Sequence, residues 1–221
     1  MISIECSALL FDLDGVLIDS TPAVERVWSK WAIERGFDPT EVVHRAHGRP
    51  SLTTIREYLP DADHEKENLV ILHREMEDLD GVVAVPGARE LLTALPPDRW
   101  AIVTSCTRPL ANVRIGAGKF PAAKFVITSD DIKNPKPNPD PFLKGAALLG
   151  FPASDCIVVE DAPAGIRAGK AAGSRVIALM STMKEADLKA AGADWVLQDC
   201  SAIKLVSNCS DNKLKLELKT S

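Results

Sequence analysis

The sequence predicts an α/β fold: a Rossmann-like, mostly parallel, doubly wound sheet with a small all-helical domain inserted into it. From about residue 85 onwards, short apolar runs of strand length alternate with segments of helical periodicity. Between about residues 20 and 82, by contrast, no segment has the pattern of a strand. We therefore expect a core domain of residues 1–15 and 85–221, and a helical cap domain of residues 16–84, called the helical cap below.

The helical cap is expected to follow a first buried strand at residues 9–11. Asp19-Ser20-Thr21-Pro22 is typical of a helix start, because it combines capping side chains with a proline near the first helical position. Apolar residues then recur at helical spacing as far as Gly36. Breaks rich in proline and glycine separate the segments beyond it, so three more short helices are predicted at 39–46, 51–59 and 62–78.

The rest of the core is predicted from the same alternation. Strands are expected at 100–103, 125–127, 156–159, 175–179 and 195–197. Helices are expected at 87–95, 108–117, 139–149, 163–172 and 184–191. Apolar and polar residues alternate in the tail, at 203–206 and 214–218, which predicts a terminal hairpin at a sheet edge.

Composition excludes several classes of partner. The formal net charge of the 221-residue chain is -5, which argues against nucleic acid or an anionic membrane surface. No basic and apolar leader is visible at the N-terminus, and no apolar run approaches the ~20 residues of a membrane helix. The five cysteines have no CxxC spacing, which favours reduced thiols and a cytoplasmic protein. The expected partner is a small phosphorylated metabolite, and the chain is expected to be a monomer or a homodimer.

Polar side chains follow four of the predicted strands. They are Asp12 and Asp14, Thr104 and Ser105, Lys136, and Glu160 and Asp161. The carboxyl ends of parallel strands meet at one edge of a sheet, where ligands bind. Clustered carboxylates favour Mg²⁺, whereas hydroxyls, helix N-terminal N–H groups and a lysine suit a phosphate. This combination indicates phosphoryl transfer.

These motifs resemble those of the haloacid dehalogenase superfamily, in its phosphatase branch with a helical cap after the first motif. The motifs are Asp12-Leu13-Asp14-Gly15-Val16-Leu17, Thr104-Ser105, Lys136-Pro137-x-Pro139 and Glu160-Asp161-Ala162-Pro163-Ala164-Gly165. Their surroundings are most similar to the glycerol-phosphate and 2-deoxyglucose-6-phosphate phosphatases. The resemblance covers essentially residues 7–200.

The resemblance implies a role for each motif residue. Asp12 would be the nucleophile that forms an aspartyl-phosphate, and Asp14 the general acid and base. The implied Mg²⁺ ligands are Asp12, the carbonyl of Asp14, Asp161, and Glu160 either directly or through water. The implied phosphate-binding groups are Ser105, the backbone of Cys106, and Lys136.

Substrate selection is expected to fall to the loop after the second helix of the helical cap. Arg49 could bind a hydroxyl or phosphate oxygen there, and His47 could contact a sugar, although a simple turn between helices is the alternative for His47. Arg108, just after the phosphate motif, is either a substrate contact or a cover for its helix.

Asp14 favours phosphate chemistry, because the dehalogenases of the superfamily lack an acid at that position.

The expected reaction is Mg²⁺-dependent hydrolysis of a small phosphate monoester, namely a sugar or polyol phosphate. One alternative is a phosphosugar mutase of the β-phosphoglucomutase type, which shares the motifs. A second alternative is a non-catalytic sugar-phosphate-binding protein.

Overall fold

A computed structural model describes residues 1–46, 49–208 and 213–220. The strands are β1 Ile2–Cys6, β2 Ala8–Phe11, β3 Ile18–Asp19, β4 Val83–Ala84, β5 Trp100–Val103, β6 Val126–Ile127, β7 Cys156–Glu160, β8 Arg175–Leu179, β9 Trp195–Leu197, β10 Ile203–Asn208 and β11 Leu214–Leu218. The α-helices are α1 Thr21–Arg35, α2 Pro39–Ala46, α3 Ser51–Tyr58, α4 His64–Glu77, α5 Ala88–Ala94, α6 Arg108–Gly118, α7 Asp140–Leu149, α8 Pro163–Ala171 and α9 Glu185–Ala190.

The main sheet has six strands in the order β6-β5-β2-β7-β8-β9, and every neighbouring pair is parallel. Alternate residues of β2 point to opposite faces of the sheet. Leu9 and Phe11 pack in the cluster that includes α5 and α6, whereas Leu10 packs with Phe142 of α7 and Ile166 of α8. Both faces are covered, so the central strands are continuously apolar. The predicted fold class is confirmed.

The tail forms the predicted hairpin, but its place in the molecule differs from the prediction. Strands β1, β11 and β10 make a separate antiparallel sheet with β11 in the middle. Leu214, Leu216 and Leu218 are buried and contribute to the same hydrophobic cluster as α5. The hairpin is therefore not an addition to the main sheet. Strand β1 was not predicted, because its partner lies some two hundred residues away along the chain.

Helices α1 to α4 pack around a hydrophobic cluster of their own, which includes Val27, Trp31, Val42, Ile55 and Ile71. Their bounds agree closely with the four predicted helices. Trp28 and Trp31 pack edge to face with ring centroids 5.6 Å apart.

The helical segment leaves and re-enters the core at one point. Strand β3 precedes α1, β4 follows α4, and the two pair antiparallel, with Ile18 opposite Ala84. Within the described ranges, no helix is both long enough and apolar enough to cross a membrane.

Candidate active site

A cavity of about 220 Å³ lies between the carboxyl ends of β2, β5 and β7 and the helices α1 to α4. One wall carries the polar residues that follow the strands, among them Asp12, Asp14 and Ser105. The opposite wall comes from the helices α1 to α4. On one face of α4 the cavity-lining residues recur three and four positions apart: Asn68, Ile71, Leu72 and Glu75. The cavity therefore brings charged core groups against a largely apolar helical surface.

Lys136 is the cation at the base of this cavity. Its ammonium donates hydrogen bonds to Asp12 Oδ1 (2.6 Å), to Glu160 Oε1 (2.7 Å) and to the carbonyl of Val103 (3.0 Å). Burial lowers the pKa of Lys136, but the two carboxylates outweigh it and raise the pKa above its ordinary value. The lysine is thus held charged beside Asp12.

Three carboxylates surround this point. Oxygens of Asp12, Glu160 and Asp161 all lie within 4.8 Å of one another. Burial raises the pKa of Asp12 to about 7, despite the opposing effect of Lys136. Burial, with the charges of Glu160 and Asp12, raises the pKa of Asp161 well above its usual range. One lysine does not neutralise three acids, and hard oxygen ligands in this number fit a divalent cation such as Mg²⁺.

Two glycines leave room for the carboxylates of Asp161 and Glu160 against the backbone. A Cβ atom on Gly15 would lie 2.0 Å from Asp161 Oδ2, and Gly15 also has a positive φ of 74°. A Cβ atom on Gly165 would lie 1.6 Å from Glu160 Oε1. The backbone completes the arrangement, because Glu160 Oε2 accepts the N–H groups of Asp161 (3.0 Å) and Ala162 (3.1 Å).

Asp14 lies in a different environment from Asp12. Its Oδ1 accepts a hydrogen bond from Ser20 Oγ at 2.6 Å. Its Oδ2 accepts one from Arg114 Nη1 at 2.8 Å and one from the thiol of Cys106 at 3.0 Å. The two aspartates of the first motif are therefore held by separate sets of partners, as two different chemical roles would require.

Four polar or charged residues that belong to the hydrogen-bond network of Asp14 and Asp161 were not assigned to the site from sequence. They are Ser20, Glu75, Arg114 and Thr182. Thr182 donates a hydrogen bond to Asp161 Oδ2, and Arg114 Nη2 donates one to Glu75 Oε2 at 3.2 Å. Arg114 did leave a signal: it shares the buried face of α6 with Leu110 and Ala111, where a charged residue is unexpected.

The residues that the sequence analysis assigned to phosphate binding all line the cavity. They are Ser105, Cys106 and Lys136. The backbone N–H of Cys106 donates a hydrogen bond to Thr104 Oγ1 at 3.1 Å, which is a contact within the loop.

The candidate substrate contacts are less uniform. Arg49 lines the cavity while its guanidinium pairs with Glu57. Arg108 turns away: its guanidinium donates to Asp131 Oδ2 and to the carbonyl of Val126, which favours the helix-covering role. His47 lies outside the described residues.

Several known proteins resemble this chain in sequence. The sequence profile of the haloacid dehalogenase-like hydrolases matches residues 6–173. Hexitol phosphatase A of Escherichia coli is 44% identical over 179 residues, covering 79% of this chain and 83% of that protein. Glycerol-1-phosphate phosphohydrolase 1 of Saccharomyces cerevisiae is 37% identical over 218 residues, covering 92% and 86%.

A solved structure also resembles this chain. The crystal structure of a hydrolase from Pseudomonas syringae has a TM-score of 0.78 and 28% identity, covering 87% of this chain and 93% of that one. The sequence profile spans both the first and the last of the four motifs. The chain belongs to the haloacid dehalogenase-like hydrolases.

Proposed function

We propose that the protein hydrolyses a small sugar or polyol phosphate through an aspartyl-phosphate on Asp12, with a divalent cation, Mg²⁺, as cofactor. The observation that carries this proposal is that the two aspartates have different partners. Asp12 lies with Lys136 and the acids Glu160 and Asp161, whereas Asp14 is bonded to Arg114. The hexitol, glycerol and deoxyglucose phosphatases among the relatives support the substrate class.

In the first step, a carboxylate oxygen of Asp12 attacks phosphorus and the ester oxygen leaves. Lys136 balances the repulsion between this carboxylate and the substrate dianion, and Ser105 lies in the cavity wall, where it can bind a phosphoryl oxygen. Asp12, Asp161 and Glu160 would hold Mg²⁺, which when bound offsets negative charge on the carboxylates and the phosphoryl group.

Asp14 serves both halves of the reaction. Protonated, it gives its proton to the leaving alkoxide as the ester bond breaks. Ionised, it then takes a proton from the water that attacks the aspartyl-phosphate, so that phosphate is released and Asp12 is restored. Its place on the cavity wall suits this use.

We also propose that residues 16–84 act as a cap domain that selects the leaving group, over a core domain of 1–15 and 85–221. The separate hydrophobic cluster of α1 to α4 supports this division. The cavity surface of these helices is mainly apolar, with the neutral pair Ser51 and Asn68 available to hydroxyl groups. The cytoplasmic location and the choice between monomer and homodimer stay predictions.

A phosphate-release screen tests the proposal. Glycerol, hexitol, hexose, pentose and glycolate phosphates would be compared with and without Mg²⁺, using Asp12→Asn as the control. We expect Mg²⁺-dependent release of free phosphate from the polyol and sugar esters, and none from the Asp12→Asn protein. Isomer formation with negligible free phosphate would instead indicate a mutase, and unchanged turnover by Asp12→Asn would overturn the mechanism.

A further inference from the structure

Arg114 is buried on the core side of the cavity and reaches two carboxylates from different parts of the chain. Only 5% of its side chain is exposed. Nη1 contacts Asp14 in the first motif, and Nη2 contacts Glu75 on helix α4. A buried guanidinium must be compensated in this way, because an unpaired buried charge is costly. The compensation here joins the first motif to the helical cap.

The guanidinium makes the two contacts interdependent. It is planar and rigid, so a displacement of the carboxylate at one nitrogen reorients the other nitrogen as well. Glu75 is itself 11% exposed and lies on the cavity face of α4. A change in how α4 sits on the core therefore alters the contact between Arg114 and Asp14.

The second oxygen of Asp14 is tied to the same part of the molecule. Ser20, which bonds to Oδ1, directly precedes α1 at the beginning of the helical segment. Both oxygens of Asp14 are thus held by groups that begin or contact α1 and α4. The Lys136 side chain, in contrast, bonds to Asp12, Glu160 and Val103, all in the core.

We infer that Arg114 is a positioning residue, which together with Glu75 aligns Asp14 for proton transfer according to how the helical cap is seated. The inference rests on the proposed role of Asp14 as the general acid. It assigns Arg114 no contact with the substrate; Arg114 acts only through the carboxylate of Asp14. A leaving group that fits the cavity would also fix the position of the helices on the core. Through Glu75 and Arg114, that position would then align Asp14 to protonate the same leaving group.

Leaving-group dependence tests this inference, because a purely structural role would not produce it. A sugar phosphate releases an alkoxide that needs a proton, whereas 4-nitrophenyl phosphate releases a phenolate that does not. In Arg114→Met, we expect kcat/KM to fall roughly 10- to 100-fold for the sugar phosphate and only about 3-fold or less for the aryl phosphate. The first loss stays at or below about 100-fold, the lower end of general-acid effects, because Asp14 itself is kept. Glu75→Gln should give a smaller loss with the same selectivity, and Arg114→Lys should recover part of it.

A matched control comes from the residue before Glu75. Arg74 also bonds to a carboxylate, Glu34, at 2.8 Å, but that pair lies within the helical cap. Arg74→Met should leave the ratio of the two activities unchanged. Equal losses on both substrates in Arg114→Met, or no loss on either, would overturn the inference.

Asp14→Asn separates failure of the inference from failure of the proposed function. If Asp14→Asn shifts the ratio and Arg114→Met does not, the inference alone is wrong. If Asp14→Asn leaves the ratio unchanged, the role of Asp14 is wrong and the inference falls with it. Thermal unfolding shows whether each variant is folded. Should Arg114→Met be unfolded, Glu75→Gln decides, because it keeps the side-chain size: a selective loss supports the inference and an unchanged ratio overturns it.

Discussion

Replacing Gly165 by alanine tests whether the position of Glu160 is set by the close approach of helix α8. The new methyl carbon would lie 1.6 Å from Glu160 Oε1 and 2.0 Å from its Cδ, far inside any normal contact. The obstacle is a side chain that is 1% exposed and bonded to two backbone N–H groups. The carboxylate must therefore move, and it must leave the ammonium of Lys136, 2.7 Å away, when it does.

The size of the effect follows from these contacts. Breaking a buried ion pair on one side typically destabilises a protein by about 3–5 kcal/mol. Alanine in place of glycine within a helix returns about 0.5–1 kcal/mol. We expect Gly165→Ala to lower the free energy of unfolding by about 2–4 kcal/mol. Turnover should also fall, because Lys136 loses the bond to Glu160 that helps to hold it beside Asp12.

Urea denaturation of the purified protein measures the stability term, and phosphate release measures the activity. Gly116→Ala is the matched control: Gly116 is an exposed glycine of helix α6, and a Cβ atom there would meet nothing within 4 Å. It should stabilise the protein by about 0.5–1 kcal/mol. A Gly165→Ala protein as stable and as active as the parent would refute this account of the site.

Three further predictions concern the charges of the site and its surroundings. Lys136→Met should abolish turnover and lower the free energy of unfolding, measured in urea without metal, by about 3–5 kcal/mol. Adding Mg²⁺ should restore part of that stability. A variant whose stability does not respond to Mg²⁺ would contradict a metal site here. The raised pKa of Asp12, about 7, means that the folded metal-free protein keeps a proton that the unfolded chain loses. Its free energy of unfolding should therefore fall as pH rises from about 4 to about 7, and urea titrations of Asp12→Asn should show a smaller fall. Arg108→Ala should leave kcat and KM for the sugar phosphate unchanged. It should alter the free energy of unfolding by less than about 1 kcal/mol, because the ion pair of Arg108 with Asp131 is partly exposed. A rise in KM would instead show that Arg108 contacts the substrate.

Most of the sheet could be predicted from sequence because its signals are local. Buried parallel strands are continuous apolar runs, and the runs at 100–103, 175–179 and 195–197 have the predicted bounds. Strand β1 has no such signal. Its alternating residues become a strand by pairing with β11 from the far end of the chain, and short-range periodicity carries no information about that pairing.

The candidate site divides in the same way. Asp12 and Lys136 could be predicted because each follows a strand, in an order that topology brings together. The contact between Glu75 and Arg114 joins two residues 39 positions apart, one on α4 and one on α6. Only the packing of α4 against α6 creates it, so the most that sequence offered was an arginine on an otherwise apolar face.

The pairing of β3 with β4 has a consequence for how such a protein can be altered. Because Ile18 pairs with Ala84, the two ends of the intervening helical segment lie side by side. The segment is therefore attached to the core as one long insertion with adjacent ends. Loops of this kind can be exchanged at modest entropic cost, since closure depends only weakly on length. If residues 16–84 select the leaving group as proposed, exchanging them for the corresponding helices of a relative should change the substrate preference, provided that the new segment retains a serine at position 20 and a carboxylate facing Arg114.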